Sequence, residues 1–362
     1  MHLKNLQLHN FRLYKEKSFS FPKQVTVLAG PNAIGKTNVL EAIVLLALGK
    51  SFRTSRDEEM ITFEEDFGRI SLDSENESLE VALSRGFWQG KRVAKKRFIV
   101  NGVGKRRKDF IGRIRIVLFE PQDIEVVVGS PGRKREYLDF VLSQVDLEYD
   151  RCLLAYEKGL RQRNKLLSFI AEKKAAPSQL EFWNRLLVKN GGVLQQKREA
   201  YIEFLTTFCA SSTFKELMGG AAKAVTFSFM YDPSAISFER LAKYKEAEIA
   251  AGRTLVGPHR DSFFIFQHNS AKKDLATYGS RGEQRMGVLA LKLGELEFIT
   301  KKTQERPLLL LDDVFSELDE EHQQMILHLV DKQQTIMTTT EVDAKWKKKL
   351  SDMEVIQLDN IQ

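Results

Sequence analysis

Residues 30–37 read Gly-Pro-Asn-Ala-Ile-Gly-Lys-Thr, the spacing G-x-x-x-x-G-K-[ST]. This is the chemistry of a phosphate cradle. Gly30, Pro31, Asn32, Ala33, Ile34 and Gly35 form a loop whose backbone N–H groups can turn inward onto phosphate oxygens, which bulkier residues at the two glycines would obstruct. Lys36 reaches the β- and γ-phosphates, the Thr37 hydroxyl joins Mg²⁺, and Asn38 opens a helix whose positive end adds to the pull. The nucleotide implied is ATP. A second group is Leu-Leu-Leu-Leu-Asp-Asp at 308–313. An apolar run buries a strand, and the acids emerge at its tip. Asp312 is positioned to hold Mg²⁺ and Asp313 to orient or deprotonate an attacking water. The third is Tyr-Gly-Ser-Arg-Gly-Glu-Gln-Arg at 278–285, a serine–glycine turn opening a helix and so a further anion-binding end.

Elements of suitable kind surround these groups. A β-rich run over 24–29 precedes the glycine loop, and a run of strong helix formers over 38–48, closed by Gly49, follows it. Residues 1–8 alternate as an edge strand, 94–100 with Asn101-Gly102 reads as a hairpin, and 113–119 as a buried strand. Beyond about 131 the pattern becomes helical. Leu138, Leu142, Val145, Tyr149, Cys152, Tyr156 and Leu160 lie at steps of four and three, predicting one long helix. Pro177 breaks it, and a second helix is predicted over 180–208, so the two form a short antiparallel arm. Strands return at 225–230, 262–267, 307–311 and 335–340, with a helix over 280–300. The expected fold class is α/β, with a discontinuous nucleotide-binding head over 1–130 and 251–362 and an inserted helical lobe over 131–250.

The chain has 362 residues and a formal charge of +7. Its basic residues concentrate at 91–115, where Lys91, Arg92, Lys95, Lys96, Arg97, Lys105, Arg106, Arg107, Lys108, Arg113 and Arg115 face only Asp109. Such a stretch attracts polyanions. Two cysteines, Cys152 and Cys209, cannot make a disulfide framework, and the histidines are scattered rather than clustered for a metal. No apolar run has membrane-spanning length and the N-terminus lacks a signal-peptide core, so a cytoplasmic protein without membrane contact is expected.

The ordered set of motifs resembles the RecF family of bacterial recombination-mediator ATPases, relatives of the SMC proteins. The matching stretches are 10–12, 30–43, 51–53, 119–123, 256–261, 278–285 and 310–319, spread over essentially the whole chain. The segments Val-Gly-Pro-His-Arg-Asp at 256–261 and Ser-x-Gly-x-Gln-Arg at 280–285 are far more specific than the phosphate loop. The resemblance implies an ATP-binding-cassette and SMC-type P-loop head, in which the signature turn serves the neighbouring subunit. Ser280 and Gly282 would then cap the γ-phosphate held by a second copy, Gln122 would sense that phosphate and the metal, and 316–319 would be the D-loop. Thr340 stands near where transporters carry a switch histidine. His259 and Arg260 suit either an interface or a structural role.

The implied activity is slow ATP hydrolysis that switches a homodimer on double-stranded DNA and at single-strand/double-strand junctions. RecR and RecO are the implied partners in recombinase loading. Arg53, Arg56, Lys105, Arg106 and Arg107 are the candidate DNA contacts, which would give affinity without sequence readout. Several residues depart from the family pattern. Ala33-Ile34 gives up a flexible loop position, Arg281 and Glu283 replace glutamines, and Ser262 follows Asp261. A transporter subunit lacks its histidine switch here, a nuclease-partnered ATPase lacks room for a nuclease, and a nucleotide-gated scaffold is disfavoured by Lys36, Asp312 and Asp313. An insertion of this length, with helices rising about 1.5 Å per residue, makes a short arm rather than an SMC coiled coil.

Overall fold

The structure is a computed structural model and describes residues 2–88, 91–219, 225–268, 272–316, 323, 326–327, 329–330, 332–342 and 352–359. The chain forms two compact units, 1–121 with 299–362, and 122–298. The second unit therefore takes in 122–130 and 251–298 besides the lobe expected over 131–250.

In the first unit a five-stranded parallel sheet has the order Ile116–Phe119, Leu308–Asp312, Thr335–Thr339, Val25–Ala29, Met353–Gln357. Its four leading strands are buried from end to end, which is why the sequence reads as unbroken apolar or β-branched runs. Asp312 pairs in register with Thr338, and Thr339 with Ala29. The acidic tip and the entrance to the glycine loop thus come out on the same carboxyl edge, where parallel sheets hold their ligands. A six-stranded antiparallel sheet runs Tyr14–Ser20, Leu3–Phe11, Phe67–Ser74, Ser78–Ser84, Lys96–Val100, Val103–Lys105. The helix Lys36–Leu48 contacts strands of both sheets. That sandwich explains why it is apolar on every side and buried almost throughout.

The first strand, expected at an edge, is internal, pairing with Tyr14–Ser20 on one side and Phe67–Ser74 on the other. Its alternation marks one buried face, a pattern that edge and inner strands of an antiparallel sheet share. The hairpin at Asn101-Gly102 is present, with both turn residues at positive φ (49° and 76°).

The second unit contains the helices Pro131–Val145, Leu147–Ala171 and Leu180–Cys209, and a three-stranded antiparallel sheet of Thr226–Asp232, Ser262–His268 and Lys272–Asp274. Leu147–Ala171 and Leu180–Cys209 pack along one another as the helical insertion. The single helix expected through Leu138 and Leu160 is two helices. Asp146 leaves helical geometry and its carboxylate caps the second, accepting the Tyr149 N–H at 3.0 Å. The apolar spacing carries across the break, so periodicity alone could not reveal it.

The Val-Gly-Pro-His-Arg-Asp segment locks this unit from within. Buried Asp261 accepts bonds from Arg198 Nη1 at 2.9 Å, the Ser234 N–H at 2.9 Å and Gln195 Nε2 at 2.9 Å. His259 Nδ1 lies 2.8 Å from the Tyr156 hydroxyl and Nε2 lies 3.1 Å from the Thr254 carbonyl. Burial pulls the imidazole pKa down to about 4, which keeps it neutral in this setting. Of the two roles open to His259, these bonds are structural, while Arg260 is exposed.

Candidate functional site

The glycine loop bends as its composition demands. Gly35 has φ 105°, and a side chain there would meet the Tyr14 hydroxyl at 2.7 Å. Gly35 therefore meets two needs, a left-handed backbone and a close approach. Ala33 occupies the position where flexibility was given up, and takes φ 64° regardless. An L-residue in that region carries strain of roughly 1–2 kcal/mol, of the kind that functional loops store.

Lys36 is buried against the loop. Its Nζ donates to the Gly30 carbonyl at 2.6 Å and the Pro31 carbonyl at 3.0 Å. Burial lowers its pKa, offset by the charges of Asp313 and Asp312. The ammonium is thus tethered where phosphate oxygens would replace the two carbonyls. Thr37 Oγ1 donates to Asp312 Oδ1 at 3.0 Å, bringing together two hard oxygen ligands from residues far apart in sequence. A hydroxyl and a carboxylate at this separation suit Mg²⁺, which favours a few protein oxygens plus phosphate and water.

Thr338 is a residue that sequence reasoning passed over. Its hydroxyl donates to Asp312 Oδ1 at 2.8 Å and accepts the Asp313 N–H at 2.9 Å. Asp313 itself sits at φ 50°. The strand places Thr338 beside Asp312, whereas Thr340, expected near the switch position, is exposed. Strand pairing could have selected Thr338, but the register is visible only once the sheet is assembled.

Ala33, Gly35, Lys36, Thr37, Asp312 and Asp313 line a cavity of about 780 Å³ together with Arg12, Leu13, Arg53, Arg56, Phe63 and Arg85, a volume within the usual range of cofactor sites. Two of the short motifs find their purpose in its wall. Glu41, fully buried on the helix after the loop, receives Arg12 through Nε at 2.8 Å and Nη2 at 2.5 Å. It also receives Ser51 Oγ at 2.5 Å, while Arg53 Nη1 reaches Asn38 Oδ1 at 2.9 Å. Arg53 and Arg56, expected from sequence to contact DNA, line this cavity with side chains 43% and 76% exposed.

Gln122, Ser280 and Gly282 belong to the second unit and all three are exposed. Ser280 and Glu283 form a capping box: the Ser280 N–H donates to Glu283 Oε2 at 2.7 Å and the Glu283 N–H to Ser280 Oγ at 3.3 Å. Lys273, 2.8 Å away, together with that backbone bond, lowers the Glu283 pKa to about 2. The departure at Glu283 is thus balanced locally. A side chain at Gly282 would meet nothing within 4 Å. Residues 317–319 of the expected D-loop lie outside the described residues.

Among the other candidates, Lys105 and Arg106 are exposed and Arg106 pairs with Asp109 at 3.1 Å. Arg107 is half-buried and donates to the Leu48 carbonyl at 3.1 Å. The one-signed stretch is more neutralised than its sequence indicates, because distant segments supply acids. Lys95 pairs with Glu58, Lys96 with Asp57, Arg113 with Glu77 and Arg115 with Glu305.

Comparison with known proteins places this geometry. The family model described as the RecF/RecN/SMC N terminal domain matches residues 2–354. A DNA replication and repair protein RecF of Halalkalibacterium halodurans is 39% identical, over 95% of this chain and 94% of its own length. A Bacillus cereus protein of the same description is 36% identical, over 99% and 97%. A solved structure of the recombination mediator protein RecF with ATP in the RecFOR pathway has TM-score 0.82 and 30% identity, covering 99% of this chain and 97% of that one. Its counterpart described as RecF-ATPrS has TM-score 0.85 and 31% identity, over 99% and 96%. A Pyrococcus furiosus Smc head domain, with TM-score 0.53 and 15% identity, shares the fold.

Proposed function

Since the chain belongs to the RecF family of DNA replication and repair proteins, within the RecF/RecN/SMC N-terminal group, we propose that it is an ATP-switched DNA-binding recombination mediator. Two copies associate head to tail. ATP is gripped by residues 30–37 of one and capped by Ser280 and Gly282 of the other. The observation that carries this reading is the signature turn, a pre-formed helix start with an exposed serine and open space over Gly282. The positive end of the helix that starts here suits an anion.

Thr37 and Asp312 would hold Mg²⁺, which would supply charge neutralisation at the phosphates. Asp313 orients the attacking water, and its carboxylate, one methylene shorter than glutamate, favours slow, DNA-stimulated turnover to ADP and phosphate. The dimer engages double-stranded DNA and gap junctions through exposed cations such as Lys105 and Arg106. By family membership it acts with RecR and RecO in recombinase loading, in the cytoplasm on the nucleoid. In this scheme a nucleotide-binding head over 1–130 and 251–362 carries an inserted helical lobe over 131–250. No helix among the described residues is long and apolar enough to cross a membrane.

Sedimentation velocity in Mg²⁺ buffer tests the central step. ATP is expected to convert monomer to dimer, and Ser280→Arg to abolish that conversion while single-subunit ATP binding persists. An unchanged sedimentation coefficient with saturating ATP would remove the shared-site model.

A further inference from the structure

The strands Ser78–Ser84 and Lys96–Val100 pair within the six-stranded sheet, and their pairing continues beyond it as a narrow two-stranded ribbon. The Ser84 N–H donates to the Lys95 carbonyl at 2.9 Å and the Val93 N–H to the Gly86 carbonyl at 3.1 Å. Phe87 and Trp88 then pair with Arg92 and Lys91. Gly86, at φ 94°, supplies the left-handed bend where the ribbon leaves the sheet. Between 85 and 97 the sequence carries six cations and no acid. Distant segments answer only some of them: Lys95 meets Glu58, Lys96 meets Asp57, and Arg85 Nε donates to the Glu65 carbonyl at 2.7 Å. Lys91, Arg92 and Arg97 are exposed and make no ion pair among the described residues. Phe87 is 55% exposed and lies directly across the ribbon from Arg92, whose guanidinium carbon is 5.9 Å from the ring centre.

We propose that this ribbon, formed by 84–88 and 91–95, is a contact for unpaired DNA bases, with Phe87 stacking on a base while Lys91 and Arg97 meet the phosphates of the same strand. One exposed ring alone needs no explanation. A ring beside a guanidinium, on a ribbon whose remaining cations have no acid to answer them, fits a ligand that is both flat and anionic. Single strands are held in this way, by cations along the backbone and aromatic faces under the bases. In a duplex each base is already stacked on its neighbours and offers only its edge to a groove. An unpaired base has a free face, so Phe87 acts only where the duplex ends. The proposal rests on the DNA reading above and adds the element that tells a junction from an uninterrupted duplex.

Fluorescence anisotropy of the full chain in Mg-ATP tests it with two labelled probes, a blunt duplex and the same duplex carrying a single-stranded tail. Phe87→Ala is expected to weaken binding to the tailed duplex by about tenfold and to leave the blunt duplex unchanged, with Phe87→Trp restoring the tailed affinity. Removing Phe87 takes away no phosphate contact, so its salt slope should stay at the wild-type value. The double change Lys91→Ala/Arg97→Ala should instead make the slope on the tailed duplex shallower by about 1.4. No loss on the tailed duplex for Phe87→Ala, an equal loss on the blunt one, or an unchanged slope for the double variant overturns the contact. Unchanged binding to the blunt duplex also serves as the check on folding. Wild-type protein that binds both probes equally would overturn the ribbon's role alone. Wild-type protein that binds neither would overturn the DNA reading itself, and the ribbon contact with it.

Discussion

Thr338 links the two acids of the site. Its hydroxyl fixes Asp312 on one side and satisfies the backbone of Asp313 on the other. Replacing it with valine keeps the shape and removes both bonds. Loss of hydrogen bonds of this kind costs roughly 0.5–1.5 kcal/mol each in stability. Misplacement of the acids by a fraction of an ångström is expected to slow ATP hydrolysis by about tenfold to a hundredfold. Thermal denaturation and steady-state hydrolysis check both, and Thr338→Ser should retain near wild-type values. Thr338 reads in sequence as one polar residue among three successive threonines. Its importance comes from register, whereas Lys36 and Thr37 were identifiable because the glycine spacing itself encodes their chemistry.

The helix Arg281–Thr303, which begins at the signature turn, carries buried charged side chains. Lys292 lies 2.9 Å from Asp123 and 3.5 Å from Glu295, and all three are buried. Neither oxygen of Glu295 receives a hydrogen bond. Burial raises the Glu295 pKa from 4.5 to about 7, against the opposing pull of Lys292. Between those two values the native protein holds a proton that the unfolded chain has released. The contribution of this group to stability is therefore largest at low pH and declines as pH rises through about 7. Glu295→Gln, which mimics the protonated form, is expected to remove that decline. Melting temperatures of the two proteins should diverge as pH rises from about 4.5 to about 7, with the variant higher, and run parallel above that; parallel curves between those two values would reject the assignment. Helical periodicity placed this helix correctly, but it could not pair Lys292 with Asp123, which lies in a different segment.

At the scale of the whole molecule, the modest positive charge matters through where it stays unpaired. Folding brings Glu58, Asp57, Glu77 and Glu305 onto the basic stretch. Lys105 stays exposed with no ion pair among the described residues, and Arg106 is held only by Asp109 on its own turn. Arg107 supports the carbonyl end of the phosphate-loop helix, so its reversal would confuse folding with binding. The double change Lys105→Glu/Arg106→Glu is therefore the cleaner probe. If both contact phosphates, DNA affinity should fall and the slope of log K against log salt should become shallower by about 2. An unchanged slope would place the DNA surface elsewhere.

Local spacing was enough to determine the phosphate loop, the acidic strand tip, the signature turn, the α/β class and the antiparallel helical pair. Each is written in residues adjacent or periodic along the chain, where composition and steric preference act directly. Sheet order, the internal place of the first strand, the break at Asp146 and the neutralisation of the basic stretch were decided by tertiary structure. So were the grip of Arg12, Ser51 and Arg53 on Glu41, and the joining of Leu13 and Phe63 in one cavity. These depend on which distant segments meet. That meeting is set by the burial of both faces of the parallel sheet and of the helix between the sheets, and no single window of sequence contains it.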